Sequence, residues 1–512
     1  MWVPLVLTVL QEVGWIALTI FSLHSLWLLA VWAWPHRTSP RPQQEFAELP
    51  HVTVQLPVFN ERYVVERLLD AVARLEYPKD HLEIQILDDS TDDTTALIAQ
   101  RARVLRTHGY RVCHVRRSHR HGFKAGALAE GVGRAQGEFL AVFDADFVPP
   151  AGFLLRTIHY FSDPAVGLVQ TRWGHLNRTE SLLTRAQALM LDGHFLVEQV
   201  ARSRSGVFLS FNGSAGIWRK QAILASGGWQ PDTLTEDLDL SYRAQLTGWR
   251  FIYVPDVVVP AELPVDMRSL KTQHHRWAYG SIQTARKLLP RILRSRQPWL
   301  VKLEACFHFG AWLHYPLGVL IALLILPELM MHRSLVAGPG TGMFGGVASL
   351  LLLSTTVLFH WVAQRQVGSP WWRVMLDVPV LMAVSVGLAL NNTRAIWHAL
   401  RRTPWSFQRT PKYNGEYADA TSPSYRSATH STRWWWTEVA LGLYGCVALA
   451  YATIRAYYTV VPFLVPLSAG FLYGGLSSLT PIPPLKPPSH THAGRFSLKA
   501  GLIQREPSVR ID

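Results

Sequence analysis

Apolar runs long enough to enter a bilayer stand toward both ends of this chain, at 14–34 and then near 312–330, 344–363, 374–392, 435–454 and 456–477. A helix crossing the ~30 Å hydrocarbon core takes ~20 apolar residues, so most of the chain after residue 300 is expected in or at a membrane. Such a chain must build its lipid-facing part from helices, which close their own backbone hydrogen bonds, and confine any open sheet to the polar stretch between. Residues 1–36 hold Glu12 as their one fixed charge and no Lys or Arg. A cleaved signal peptide would start basic and carry a shorter apolar core. The segment is therefore expected to stay as a transmembrane helix.

The net charge of +14, from 50 Lys and Arg against 36 Asp and Glu, would suit nucleic acid, a membrane surface or phosphate-bearing ligands. Arg365 and Arg373 precede the run at 374–392, and Arg394, Arg401, Arg402, Arg409 and Lys412 come after it. Cytoplasmic flanks collect Lys and Arg, so a helix crossing there would break the rule at one end. That segment is expected along the cytoplasmic interface instead. Five spans remain, with the N-terminus outside and a basic tail, Lys486, Arg495, Lys499, Arg505 and Arg510, inside. Much of the charge is then topology and attraction to anionic lipid, and no nucleic-acid partner is needed. The 20 Trp fit bilayer interfaces. Cys113, Cys306 and Cys446 lie far apart without metal-ligand spacing, which excludes a disulfide scaffold.

Between 50 and 262 the periodicity changes to short β-branched runs alternating with helical ones. Strands are expected at 52–57, 83–89, 111–115, 138–146 and 167–171, with helices from 62, from about 92 and near Lys124. That alternation predicts an α/β domain with a largely parallel sheet. Ligands in such sheets bind beyond the carboxyl ends of strands. Three of these ends are polar, at Pro57–Glu61, Asp88–Ser90 and Asp144–Asp146, and they are expected to meet in one crevice. An amphipathic interface stretch at 263–300, membrane or interface helices at 301–478 and a basic tail at 479–512, opening on the proline-rich Pro481–Pro488, complete the expected organisation.

Asp144-Ala145-Asp146 comes directly after the apolar Phe139–Phe143. Two carboxylates two residues apart can reach one divalent ion, and Mg²⁺ is commonly held by one or two carboxylates together with substrate phosphates; an Asx turn is the plainer alternative. The doubled Asp88-Asp89 exceeds what capping the next helix requires, and Asn60-Glu61 leaves the first strand with a second polar pair. Lys124, at a helix start, can meet a diphosphate there. Thr235-Glu236-Asp237 precedes a helix and supplies acids suited either to its first turn or to general-base work. Gln273, Arg276 and Trp277 fall on one helix face at i, i+3 and i+4, offering an amide for hydroxyls, a guanidinium for phosphate and an indole for a sugar ring.

In this order, Leu87-Asp88-Asp89-Ser90, Asp144-Ala145-Asp146, Thr235-Glu236-Asp237 and Gln273-x-x-Arg276-Trp277, with apolar spans after them, resemble the family 2 glycosyltransferases that make polysaccharides at membranes. Gln55–Glu61 and Phe211–Arg219 look like the cellulose synthase-like A and C branch and its bacterial relatives, the glucan and mannan synthases. The resemblance covers about residues 50–415. It implies an α/β GT-A domain inserted between α-helical transmembrane segments and an inverting, processive transfer of hexose from UDP- or GDP-hexose to a growing β-glycan, with Mg²⁺ or Mn²⁺ on Asp146. It places Asn60, Glu61, Asp88, Asp89, Lys124, Asp144 and Arg276 on the donor, Asp237 as general base, and Asn212, Gly213, Glu236, Gln273 and Trp277 at the acceptor. Phe407-Gln408-Arg409-Thr410-Pro411-Lys412, within a loop at 403–415, resembles the F-x-V-T-x-K gating loop of cellulose synthases, with Arg409 in place of Val.

The spans beside the interface helix would give the growing chain a polar, aromatic path. Two rivals are a transferase placing one sugar on a membrane lipid, as the ceramide glucosyltransferases do with a similar element, and a transporter that only binds nucleotide sugars. No protein subunit is implied. Only nine of the 50 basic residues are lysine, an imbalance that points to a GC-rich bacterial genome and an inner membrane with the catalytic domain cytoplasmic.

Overall fold

The structure is a computed structural model, and it describes residues 2–34, 40–331, 341–405, 407–413 and 434–479. The expected tail beyond Leu479, with its prolines and basic residues, and positions 406, 414 and 415 of the expected gating loop lie outside the described residues, as does Arg37.

Among the described residues seven strands form one sheet in the order β3-β2-β1-β4-β6-β5-β7: β1 Val52–Val58, β2 Leu82–Asp88, β3 Arg111–Arg116, β4 Phe139–Val142, β5 Val166–His175, β6 Gly216–Arg219 and β7 Arg250–Ala261. β1 is parallel to β2 and β4, β2 to β3, and β5 to β7, whereas β6 runs antiparallel to β4 and β5. The expectation of a largely parallel sheet is met. β2 and β4 are buried along their whole length, which is why they read as unbroken apolar runs: helices cover both faces. The crossover helices are Val65–Ala73, Thr94–Thr107 and Phe123–Arg134. The first of them buries Val65, Leu68, Leu69 and Val72 against the sheet.

β4 is shorter than expected. It ends at Val142; Phe143 N still donates to Gln55 O at 3.2 Å, and Phe147 N then donates to Asp144 O at 3.1 Å, so Asp144–Asp146 sit in a turn beyond the strand. Both carboxylates thereby leave the pleat, whose alternation would otherwise carry the chain on into the core. β6 and β7 had no counterpart among the expected strands.

Five helical stretches among the described residues are long and apolar enough to cross a membrane: Leu5–Ala33, Trp299–Met331, Gly345–Gln366, Trp371–Leu400 and Trp435–Ile454, with Val461–Leu476 shorter. Leu5, Val9, Ile16 and Leu23 on the first of these, and Leu443 and Val447 on another, are exposed large apolar side chains, as lipid-facing stripes are. Length and composition do not set 371–400 apart as an interfacial segment; it is among the longest of the helices. A core of Leu183, Leu189, Met267, Leu270, Val378, Leu381, Leu388 and Phe471 joins it to the helix Leu182–Gly193 of the sheet domain and to the helix Met267–Arg294. The latter is capped by Asp266, whose carboxylate accepts from Ser269 N at 2.9 Å.

Candidate active site

Beyond the carboxyl ends of β2, β1 and β4 lies one cleft, open to solvent at its mouth. Its wall includes Glu61, Asp89, Lys124, Asp144, Asp146, Asn212, Gly213, Glu236, Asp237, Gln273, Arg276, Trp277, Phe407, Arg409, Thr410 and Lys412. Segments spread over more than three hundred residues of sequence are thus gathered because three parallel strands stop side by side and the helix Met267–Arg294 adds one face to the same cleft.

At the centre, Lys124 Nζ lies 2.5 Å from Asp144 Oδ1 and donates to Gly213 O at 2.8 Å. Burial alone would lower this ammonium, but Asp144, Glu236 and Asp237 together hold it above the usual lysine range. Glu236 and Asp237 open the helix Glu236–Leu246. Burial raises both carboxyls, and each also feels the other acids of the cleft, with Lys124 pulling them back. Thr235 makes no capping bond; its hydroxyl instead meets that of Thr284 on the interface helix at 3.1 Å. Gly213 has φ +84°, and a Cβ there would lie 2.8 Å from Asp237 Oδ2, so only glycine lets this loop approach the carboxylate so closely.

Asn212 beside it is held through its side chain by Gln199 at 2.8 Å and His194 at 2.9 Å, and His194 leans in turn on Glu198 at 2.9 Å. His194–Glu198 is a single turn of π-helix, a form that recurs at functional sites.

The loop at 407–413 closes one side. Phe407 stacks on Phe123 with ring centroids 5.5 Å apart and lies under Arg276 at 4.9 Å. Lys412 Nζ is 2.8 Å from Asp146 Oδ2 and also donates to Glu262 O. Arg409 donates Nε and Nη2 to the two oxygens of Glu61 at 2.8 and 3.0 Å. Burial pushes the Glu61 carboxyl up to about 7 against the pull of Arg409. The departure from Val at position 409 thus has a structural partner. Thr410 is buried, and its hydroxyl has no hydrogen-bond partner among the described residues.

Two of the expected donor residues do not reach the cleft. Asn60, at φ 56°, exchanges bonds with Thr91 at 2.8 and 3.2 Å and does not line the cleft. Asp88, 1% exposed, accepts from Ser90 N at 2.8 Å and lies 2.9 Å from His114 Nε2. Burial would raise it, but these bonds outweigh burial and hold its carboxyl below the usual range. Both residues shape the strand ends that present Glu61 and Asp89.

Arg117 was absent from the expected site and forms a two-pronged ion pair with Asp89, Nε to Oδ1 at 2.8 Å and Nη2 to Oδ2. Arg120 and Glu262 line the cleft and were likewise unforeseen. The basic run Arg116–Arg120 at the end of β3 carried a signal for Arg117 and Arg120; Glu262 lies just past β7 and carried none.

Among the described residues no group of three His, Cys, Asp or Glu could hold a metal unaided. Asp146 nevertheless fits one carboxylate of a site completed by phosphates, because its Oδ2 faces a cation, the Lys412 ammonium, while also accepting from Glu262 N at 3.2 Å. Asp144 lies across the same turn.

Residues 50–280 match the model described as glycosyltransferase like family 2. The chain is 45% identical over 260 residues to probable glucomannan 4-beta-mannosyltransferase 7 of Oryza sativa subsp. japonica, covering 50% of this chain and 44% of that one. It is 43% identical over 256 residues to glucomannan 4-beta-mannosyltransferase 2 of Arabidopsis thaliana, covering 49% and 48%. The chain thus spans about half the length of the curated relatives it matches. Its fold is similar to that of a solved structure, mannosyltransferase PcManGT from Pyrobaculum calidifontis in complex with GDP-Man and Mn2+, with TM-score 0.52 and 23% identity, covering 77% of this chain and 100% of that one.

Proposed function

We propose that this chain, whose residues 50–280 match the model described as glycosyltransferase like family 2, is a membrane-bound, inverting transferase that extends a β-1,4-linked mannan or glucomannan from a nucleotide-activated hexose. The observation that carries this reading is the meeting of Asp144, Asp146, Lys124, Asp237 and the Gln273–Trp277 face around one cleft. The names of the relatives, glucomannan 4-beta-mannosyltransferases, support the sugar and linkage. They are plant proteins, so the bacterial inner membrane rests on the arginine excess alone. We place the sheet domain on the cytoplasmic face, where the nucleotide sugar is.

Asp237 takes the proton from the acceptor hydroxyl as its oxygen attacks the anomeric carbon from the face opposite the leaving group. A buried carboxylate with a raised pKa is the stronger base for that task. Lys124 and Arg276 stand where negative charge grows on the departing diphosphate and stabilise it there. Mg²⁺ or Mn²⁺, held by Asp146 with Asp144 beside it, would neutralise that diphosphate further. Trp277 offers its indole face to the terminal sugar of the acceptor, and Gln273 and Asn212 hydrogen-bond its hydroxyls. Phe407, Arg409, Thr410 and Lys412 close over the donor and exclude water.

The test is direct. The purified protein in detergent or vesicles is given labelled GDP-mannose, GDP-glucose or UDP-glucose with Mn²⁺, and the product is sized and digested with a β-mannanase. Long, digestible polymer supports the proposal. Addition of a single sugar to lipid, under excess donor, would give the answer to the lipid-transferase alternative.

A further inference from the structure

Resting on the glycosyltransferase reading, we infer that Arg120 reads the base of the donor nucleotide and selects guanine over uracil. The cleft divides along the sheet. Asp144 and Asp146 mark the place of the diphosphate beyond β4, and Glu236, Asp237 and the interface helix mark the acceptor side. What remains for the nucleoside is the end beyond β2 and β1, lined by Pro57, Val58, Phe59, Asp89 and Arg120. An acid, Asp89, stands at that end, which suits a neutral base better than a second phosphate.

Arg120 is built for recognition rather than for holding the fold. Its guanidinium carbon lies 3.3 Å from the centroid of the Phe59 ring and 5.0 and 5.3 Å from those of Phe123 and Phe407. Stacking on rings fixes the plane of the fork and leaves its edge available. Arg117 three residues earlier is engaged by Asp89, whereas the buried Nε of Arg120 has no hydrogen-bond partner among the described residues. Burial lowers Arg120 to about 10, with Asp89 opposing, so it stays charged at neutral pH. A fixed guanidinium edge pairs with two adjacent acceptors. Guanine offers O6 and N7 side by side; uracil offers a single carbonyl on the corresponding edge.

The experiment measures binding of GDP, UDP and inorganic pyrophosphate to the full-length protein in detergent with Mn²⁺, for the wild type, Arg120→Lys and Arg120→Ala. Thermal unfolding checks that each variant is folded. The expected result is tighter binding of GDP than UDP by the wild type, loss of about tenfold in GDP affinity in Arg120→Lys, and UDP and pyrophosphate within about twofold of wild type. Equal weakening of all three ligands would make Arg120 a phosphate contact and overturn the inference. So would unchanged GDP binding in both variants, or a wild type that prefers UDP, and in each of these cases the glycosyltransferase reading stands. A folded wild type that binds neither nucleotide overturns both.

Discussion

At Asp237 the needs of the fold and those of the chemistry oppose each other. Burial raises its pKa first, Glu236 adds to the rise, and Lys124 opposes it. A carboxyl whose folded pKa is raised contributes stability that is complete below the ordinary carboxylate pKa and lost as pH climbs through the raised value. Ionising Asp237 therefore costs stability at the pH where the proposed base would act. Asp237→Asn is expected to keep or raise the thermal midpoint while lowering turnover by ~10²- to 10⁴-fold, with donor binding retained; a variant with full turnover would remove Asp237 from the base role. The same electrostatics set a pH profile. The acid limb of kcat/KM for the wild type should fall above the usual carboxylate range, and in Lys124→Met, which loses the ammonium that pulls Asp237 down, the limb should move to still higher pH. A shift to lower pH in that variant would contradict the assignment.

Among the elements, the helix Met267–Arg294 carries the proposed acceptor groups and packs on the turn that carries the proposed base. At Gly280 a Cβ would lie 2.8 Å from Thr235 N and 2.6 Å from Thr235 Cγ2, so the helix touches the very turn that presents Glu236 and Asp237. Gly280→Ala should favour the helix by up to ~1 kcal/mol yet push that turn away. The expected outcome is an intact fold and near-normal donor binding with transfer down by tenfold or more, measured as label incorporated per bound nucleotide. Gly213→Ala should lose transfer as well, through its left-handed φ and the Asp237 oxygen it would strike.

The sequence made the ends of β1, β2 and β4 legible because buried parallel strands are apolar runs and the polar residues at their ends stand out. β6 was not legible: it is four residues long and lies inside a segment read as a motif. β7 carries Pro255 and Pro260, and its pairing with β5 is broken by a register shift between Thr171 and Arg172, so alternation fails there. That Asn60 and Asp88 stand outside the cleft wall was not legible, since a carboxylate or amide that ties a turn has the same chemistry as one that binds a ligand. Glu262 was missed because its place depends on which strands neighbour one another, which no local pattern states; Arg120 stood in a basic run that was visible but whose place in the cleft depends on the same neighbours.

For the whole molecule, the sheet domain must stay in register with the long apolar helices, and a buried ion pair fastens the helix Met267–Arg294 to two of them. Lys271 Nζ lies 2.6 Å from Glu438 Oε2 and donates to Gly474 O at 2.8 Å and to Ser478 Oγ at 3.0 Å, while Asn391 donates to Lys271 O at 2.9 Å. The lysine is 1% exposed and Glu438 4%, so neither charge has water to fall back on. Removing one member of such a pair strands the other and typically costs ~3–5 kcal/mol, whereas replacing both by apolar groups of similar size is often close to neutral. Lys271→Met should therefore lower the thermal midpoint in detergent sharply, and Lys271→Met with Glu438→Met should recover most of it. Because the interface helix that bears Lys271 also bears Gln273, Arg276 and Trp277, the single variant should shorten the product more than it weakens nucleotide binding. The double variant should restore product length along with the midpoint. A double variant as unstable as the single would mean that the helices are held together by their apolar core of Leu270, Leu388 and Phe471, and that the ion pair fastens nothing.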